Sequence, residues 1–294
     1  MTMSFEIVTD SSSNLVENMI EDFGLHILPL TFMVDGDDTV YQSYLKGAHT
    51  DLSQFYAMMR DGKVFKTSLP NLADTEALMR GLLDAGRDIL YIGFSSGLSG
   101  TYEATELLVK QLAVEFPHRK IYAVDTLAAS GGEGLLVWHA VRHARNGMPI
   151  AEVRDWIEDN KLHLAHWFTV DDLMFLFRGG RVSKTSAWAG TMLNIKPVMH
   201  VDNEGHLVPL EKVRGRKKSL NALIDHMEKS ARRPIEDQMV FVTHGDCIDE
   251  AEYVAEQVKQ RFGVKEVVIN YVDPVIGAHS GPGTMALFFL ADQR

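Results

Sequence analysis

Three short apolar runs, FEIVTD (5–10), DILYIGF (88–94) and KIYAVDT (120–126), each lead into a turn rich in Ser, Thr or Gly. An amphipathic stretch then follows. This repeated order constrains the fold more than any other feature, because strand, helix, strand in succession builds a mostly parallel sheet with helices on both faces. In such sheets ligands sit at the carboxyl ends of the strands. HILPLTFMV (26–34) predicts a further strand, and LSQFYAMMRDG (52–62) a helix stopping at Gly62. More helices are expected from Asp74 to near Gly86, over 101–116 and over 132–147, the TDSSSNL turn (9–15) capping the helix after it and Ser99 standing as N-cap of the helix over 101–116.

Beyond about residue 160 the texture changes. A strand over LHLAHWFTV, a short helix, a helix through the Trp188 region and a hairpin turning at Asn203-Glu204-Gly205 precede further strand and helix pairs. At 294 residues the chain is at the size where one core stops growing. The expected fold is α/β in two domains, with a ligand between them. The first, residues 1–163, is an N-terminal α/β domain with a mostly parallel sheet flanked by helices; the second, residues 164–294, is a C-terminal α/β domain.

Charge narrows the function. A net −11 argues against nucleic acid as a partner, since that contact neutralises phosphates with Lys and Arg. Within this acidic chain, residues 178–218 hold nine Lys and Arg against three acids, an island suited to an anion or an acidic partner. No window has the 18 or more apolar residues of an integral membrane segment, and the first residues lack the layout of a signal peptide, so a soluble, cytoplasmic protein is expected. The single Cys247 makes no internal disulfide and reads as a small residue in a strand-to-helix connection.

Several expected strand ends carry hydroxyl-rich turns: Thr9 to Ser13, Thr67-Ser68, Ser95 to Gly100, and Asp125 to Gly131. Together they line one rim, where hydroxyls and helix N-terminal N–H groups favour a carboxylate or phosphate. GFSSG (93–97) fits the G-x-S-x-G nucleophile elbow and makes a serine esterase or acyl hydrolase using Ser95, with Asp246 or Asp273 and His279, the alternative. Against it, four residues separate Ser95 from the amphipathic run at Thr101, and no second oxyanion donor is in sight. Glycines flank the cations in FRGGRVSK (177–184) and KVRGRKK (212–218), letting neighbouring arginines converge on one anion or partner surface. His279 stands in another Gly-rich turn, AHSGPG (278–283). His163 and His166 lack the Cys or Glu that would complete a metal set, and neither phosphate-loop nor dinucleotide fingerprint occurs, so no metal or cofactor is expected. An anion cradle backed by MFLF, AWAGTML and ALFFLA suits a fatty acid, with a sugar phosphate or another anion as a third reading.

In order, IVTDSSSNL, KTSLPN, SSGLSGTYEAT, VDTLAASGGEGLLV, DDLMFLFRGGRVSK, LNIKPVMHVDNEG, EKVRGRKKSL, THGD and VIGAHSGPGTMALFF resemble the DegV family of bacterial fatty-acid-binding proteins over essentially the whole chain. The resemblance implies a two-domain α/β protein, not itself catalytic, that holds a long-chain fatty acid such as palmitate. It puts the carboxylate on Thr67 and Ser99. It also implies that Arg181, Arg214 and His279 serve interaction with, and phosphoryl transfer by, a separate ATP-dependent fatty acid kinase that makes an acyl phosphate. One departure stands out: the family's usual TSQPS reads TSLPN here, with Leu69 in place of a polar side chain.

Overall fold

The computed structural model describes residues 3–46, 51–183 and 194–294. Its first part runs β1 (Glu6–Asp10), α1 (Glu17–Phe23), β2 (His26–Leu28), β3 (Thr31–Val34), β4 (Tyr41–Gln42), α2 (Leu52–Arg60) and β5 (Phe65–Ser68). It continues α3 (Leu72–Asp84), β6 (Ile89–Gly93), α4 (Thr101–Glu115), β7 (Ile121–Asp125), α5 (Gly131–Arg145) and α6 (Ile150–Asn160). Then come β8 (Leu164–Thr169), α7 (Met174–Arg178), β9 (Ile195–Val201), β10 (Leu207–Arg214) and α8 (Arg216–Ser230). The chain closes with β11 (Met239–His244), α9 (Ile248–Phe262), β12 (Glu266–Tyr271), α10 (Pro274–Ser280) and β13 (Met285–Leu290).

The strands form a parallel sheet β2-β1-β6-β7, a six-stranded mixed sheet β10-β9-β8-β13-β11-β12, and a small antiparallel sheet β4-β3-β5. The fold is thus α/β, with a parallel sheet flanked by helices and a second sheet that begins at Leu164. Alternation along each strand decides the layering. Ile7, Leu90 and Ile92 face α5, whereas Val8, Ile89 and Tyr91 face α3 and α4. Phe241, Ala286 and Phe288 of the mixed sheet meet α5 from the other side, while Val240, Val242, Met285 and Leu287 pack under α8 and α9. Strands buried on both faces read as unbroken apolar runs, and the central strands were legible for that reason. No helix among the described residues is long and apolar enough to cross a membrane.

Four local expectations change. The run 26–34 is two strands in two different sheets, because Pro29 has no N–H to donate and the next N–H, of Leu30, goes to the Ser11 hydroxyl at 3.0 Å. Helix α3 opens at Asn71, whose side-chain Oδ1 accepts from the N–H groups of Ala73 and Asp74. The hydroxyl turn after β1 forms a 3-10 turn capped by Asp10, and α1 starts only at Glu17. At α4 the N-cap is Gly100; Ser99 stands one residue earlier, its hydroxyl still accepting from the Thr101 N–H at 3.2 Å. The expected helix around Trp188 lies outside the described residues.

Helix α5 is the shared wall between the sheets, and its glycines set how close they come. A Cβ on Gly134 would collide with the backbone carbonyl of Ser13, which has little freedom to retreat. Gly81 in α3 is exposed, with nothing near the space a methyl would fill. Gly134→Ala is expected to lower stability by roughly 1–3 kcal/mol through overpacking. Gly81→Ala should raise it by up to about 1 kcal/mol through helix propensity. Urea midpoints of the two variants check the opposite signs.

Candidate functional site

Three segments far apart in sequence supply the polar centre. Thr67 is held in β5, opposite Phe32 of β3. His279 is near the end of α10, a helix opened by Pro274 and capped by Asp273, whose carboxylate accepts from the Val275 and Ile276 N–H groups. Arg181 follows α7 across Gly179 and Gly180. A Cβ on Gly179 would stand 2.5 Å from the imidazole Nδ1 of His279, and Gly180 takes φ +74°. One glycine therefore admits the imidazole and the other turns the chain so that Arg181 comes back beside it.

The contacts fix the protons. Thr67 Oγ1 and His279 Nε2 are 2.8 Å apart, and Arg181 Nη1 is 3.5 Å from His279 Nδ1. A guanidinium only donates, so Nδ1 is the acceptor, Nε2 carries the proton, and Thr67 Oγ1 accepts it. The Thr67 hydroxyl proton is then free to point into the adjoining cavity. Burial first, and the Arg181 charge second, push the His279 imidazole down to about 4, which keeps it neutral at physiological pH. Arg181 also donates to the carbonyls of Leu98 and Gly179, and burial lowers its pKa.

The cavity beside this centre measures about 370 Å³. Thr67, Ser99, Arg181 and His279 line its polar end, and Leu30, Phe94, Phe168, Leu176, Val201 and Phe288 are among its apolar walls. Neither Asp nor Glu lines it among the described residues. Its walls come from both halves of the chain, so the space exists only where the two sheets face each other across α5. An acid-free pocket with hydroxyls, a neutral imidazole and one guanidinium at one end is suited to a single negative charge on an apolar body. Leu69 of the unusual TSLPN turn is also at this cavity.

Four of the residues singled out from sequence therefore meet: Thr67, Ser99, Arg181 and His279. Arg214 does not join them. It is exposed at the end of β10, paired in register with Ile195, because alternation in the strand turns it away from the cavity. Its motif neighbour Arg216 is the one that turns inward, bonding Glu250 Oε2 at 2.5 and 2.9 Å and the Gly283 carbonyl at 2.7 Å; it braces the Gly-rich turn that follows His279. The nominal esterase set is not assembled. Ser95 is fully buried and donates to the Gly205 carbonyl at 3.0 Å, His279 is taken by Thr67 and Arg181, Asp246 by Arg60 and Tyr271, and Asp273 by Asn14 and its own helix. His166 is a buried wall residue accepting from the Ala129 N–H, and His163 contacts the Asp292 carbonyl instead. Cys247 lies between β11 and α9 as expected, and burial pushes its thiol up to about 12.

A buried network went unread in the sequence. Ser130 donates to Asn14 Oδ1 at 2.7 Å and contacts Thr243 Oγ1 at 2.8 Å, while Asn14 Nδ2 donates to Asp273 Oδ1 at 3.1 Å. Ser130 holds φ +55° and Asn14 φ +47°, unusual for residues with a side chain. Their one sequence signal was their place in strand-end hydroxyl turns. Nearby, burial raises Asp10 and Asp273 to about 6 and Glu133 well above its ordinary value, the last receiving a hydrogen bond from Thr9.

The depressed His279 value makes a signed prediction. In the unfolded chain this imidazole protonates near 6.5, in the folded protein only near 4, so the unfolded state binds more protons between those values. The stability His279 contributes is full above about pH 6.5 and is lost as pH falls toward 4. The difference in melting temperature between the native chain and His279→Gln should shrink across that window. The imidazole proton resonance of His279 should titrate with a midpoint near 4; a midpoint at 6 or above would refute the neutral assignment.

Residues 4–292 match the DegV family, a family described as uncharacterised proteins. A DegV domain-containing protein of Clostridium perfringens is 39% identical over 292 residues, covering 99% of this chain and 98% of that protein. The fold superposes on a DegV lipid-binding protein of Thermotoga maritima with a TM-score of 0.85 at 26% identity, over 99% of this chain and 100% of that one. It superposes equally, at 0.85 and 28% identity, on a fatty-acid-binding DegV family protein of Thermus thermophilus, over 98% of this chain and 100% of the other. With a family match over nearly its full length and relatives that align end to end, this chain belongs to the DegV family.

Proposed function

We propose that the protein is a non-catalytic, cytoplasmic carrier that binds one long-chain fatty acid, with the carboxylate on Thr67 and Ser99 and the tail in the apolar cavity. The observation that carries this reading is the Thr67 hydroxyl, oriented by His279 Nε2 at 2.8 Å, at the polar end of a cavity that no Asp or Glu lines among the described residues. The solved relatives described as fatty-acid-binding at 26–28% identity support it. Burying the tail at roughly 0.8 kcal/mol per methylene supplies most of the affinity, and the hydroxyls set which end points where. Arg181, beside the same centre, offsets part of the carboxylate's desolvation. A fatty acid held this way presents its head toward Arg181 and His279, as delivery to a separate ATP-dependent kinase requires, and Arg214 belongs to the outer surface that meets such a partner.

Native mass spectrometry of the purified chain is expected to find a co-purifying fatty acid. Thr67→Ala and Ser99→Ala each remove a hydrogen bond to a charged group, about 1.5–3 kcal/mol, so affinity should fall roughly 10- to 150-fold per substitution. Ser95→Ala should leave the bound mass in place. Labelling of Ser95 by a fluorophosphonate, with no lipid mass, would favour the esterase instead. With a candidate kinase and ATP, acyl phosphate should form, and Arg214→Glu should weaken the association while the fatty acid stays bound. Neither association nor product would sink the presentation role and leave the binding role standing.

A further inference from the structure

Outside Thr67, Ser99, Arg181 and His279 the cavity wall is still not purely apolar. Ser130, His166, Thr243 and Thr284 also line it, each at most 6% exposed. Their protons are all spent on the protein. The Thr284 hydroxyl donates to the Gly281 carbonyl at 2.7 Å, and His166 accepts from the Ala129 N–H at Nε2, so its Nδ1 proton goes to the Leu164 carbonyl at 3.2 Å. Ser130 gives its only proton to Asn14 Oδ1, an atom that cannot donate, so in the 2.8 Å contact between the two hydroxyls Thr243 is the donor. Thr243 Oγ1 in turn receives no hydrogen bond among the described residues, which leaves its lone pairs open. Alternation along β11 sends Val240 and Val242 toward α8 and α9, and therefore Thr243 to the cavity side. The residue paired with it across the sheet is Ala286, small enough to leave room beside the oxygen.

We propose that Thr243 is the acceptor of a subsite for a hydroxyl group carried on the acyl chain, so that the cavity prefers a hydroxylated fatty acid to the plain acid of the same length. This rests on the fatty-acid reading above and names the kind of tail the cavity takes. A purely structural role does not account for the oxygen, because the tie from Ser130 to Asn14 and Asp273 runs on without Thr243. Valine has the same shape and would close the wall with no polar atom. A buried acceptor left without a donor is unfavourable against a hydrocarbon tail and is satisfied by a chain that brings its own O–H. The direction of the protons makes the choice a chemical one. A hydroxyl can donate to Thr243, whereas a ketone or an epoxide sets lone pairs against lone pairs.

Competition binding on the delipidated full chain compares stearate with a positional series of hydroxystearates and with the oxostearates of matching position. At one position the hydroxy acid should bind about 2- to 12-fold more tightly than stearate, the return of one neutral hydrogen bond, and the matching oxo acid no more tightly than stearate. Thr243→Val should abolish that preference and bring the hydroxy acid and stearate level. Thr243→Ser, which keeps the oxygen, should retain it. Should the valine variant fail to fold, the hydroxy and oxo acids on the native chain still decide. Stearate bound with no hydroxystearate tighter, an oxo acid preferred as strongly, or a preference that survives Thr243→Val refutes the subsite and leaves the fatty-acid reading standing. If neither stearate nor any hydroxystearate binds, the fatty-acid reading itself fails, and the subsite with it.

Discussion

Everything at the site depends on one helix being buried between two sheets. Helix α5 offers Leu135, Leu136, Val137, Ala140 and Val141 to apolar residues of both, and its first turn is glycine where backbone and ring systems press against it. Its first two turns, Gly131 to Val137, are buried all round and are stable only when covered on all sides. Its burial therefore forces the carboxyl ends of the parallel strands and the second sheet to meet across a gap. That gap is the cavity. The buried links from Ser130 to Asn14 and Thr243, and from Asn14 to Asp273, tie the same region together with fully directional contacts, which an apolar interface alone does not provide.

Electrostatics then decides what the gap holds. Buried carboxyl groups Asp10, Glu133 and Asp273 lie behind it with raised pKa values, and none lines its wall. The wall carries instead a neutral imidazole, hydroxyls and Arg181. A neutral His279 matters because it orients Thr67 without adding a second cation, so that the polar end suits one negative charge and remains compatible with an apolar interior. Arg216 contributes at a distance, pinning the Gly-rich turn after α10 through Glu250 and the Gly283 carbonyl.

Much of this was readable along the chain. The strands buried on both faces, the hairpin at Asn203 to Gly205 and the hydroxyl turns were all visible as local patterns. So was the gap of four residues between Ser95 and the start of its helix, which spoke against the elbow; the choice of Ser99 came from the family resemblance. Patterns failed where a single backbone group overrode them, as at Pro29, or where two side chains of one motif diverge, as Arg214 and Arg216 do. The pairing of Asn14 with Asp273, 259 positions apart, has no local trace at all.

The sequence by itself determined the element order, the parallel sheet and the residue types able to hold an anion, and its family resemblance singled out Thr67, Ser99, Arg181, Arg214 and His279 as candidates. Those follow from periodicity, turn chemistry and motif order, which are short-range properties. Only the tertiary structure decided that Thr67 and Arg181 both reach His279, and which of two arginines points inward. The site contacts join positions 98 and 212 residues apart, and packing against a shared core, not spacing along the chain, determines them.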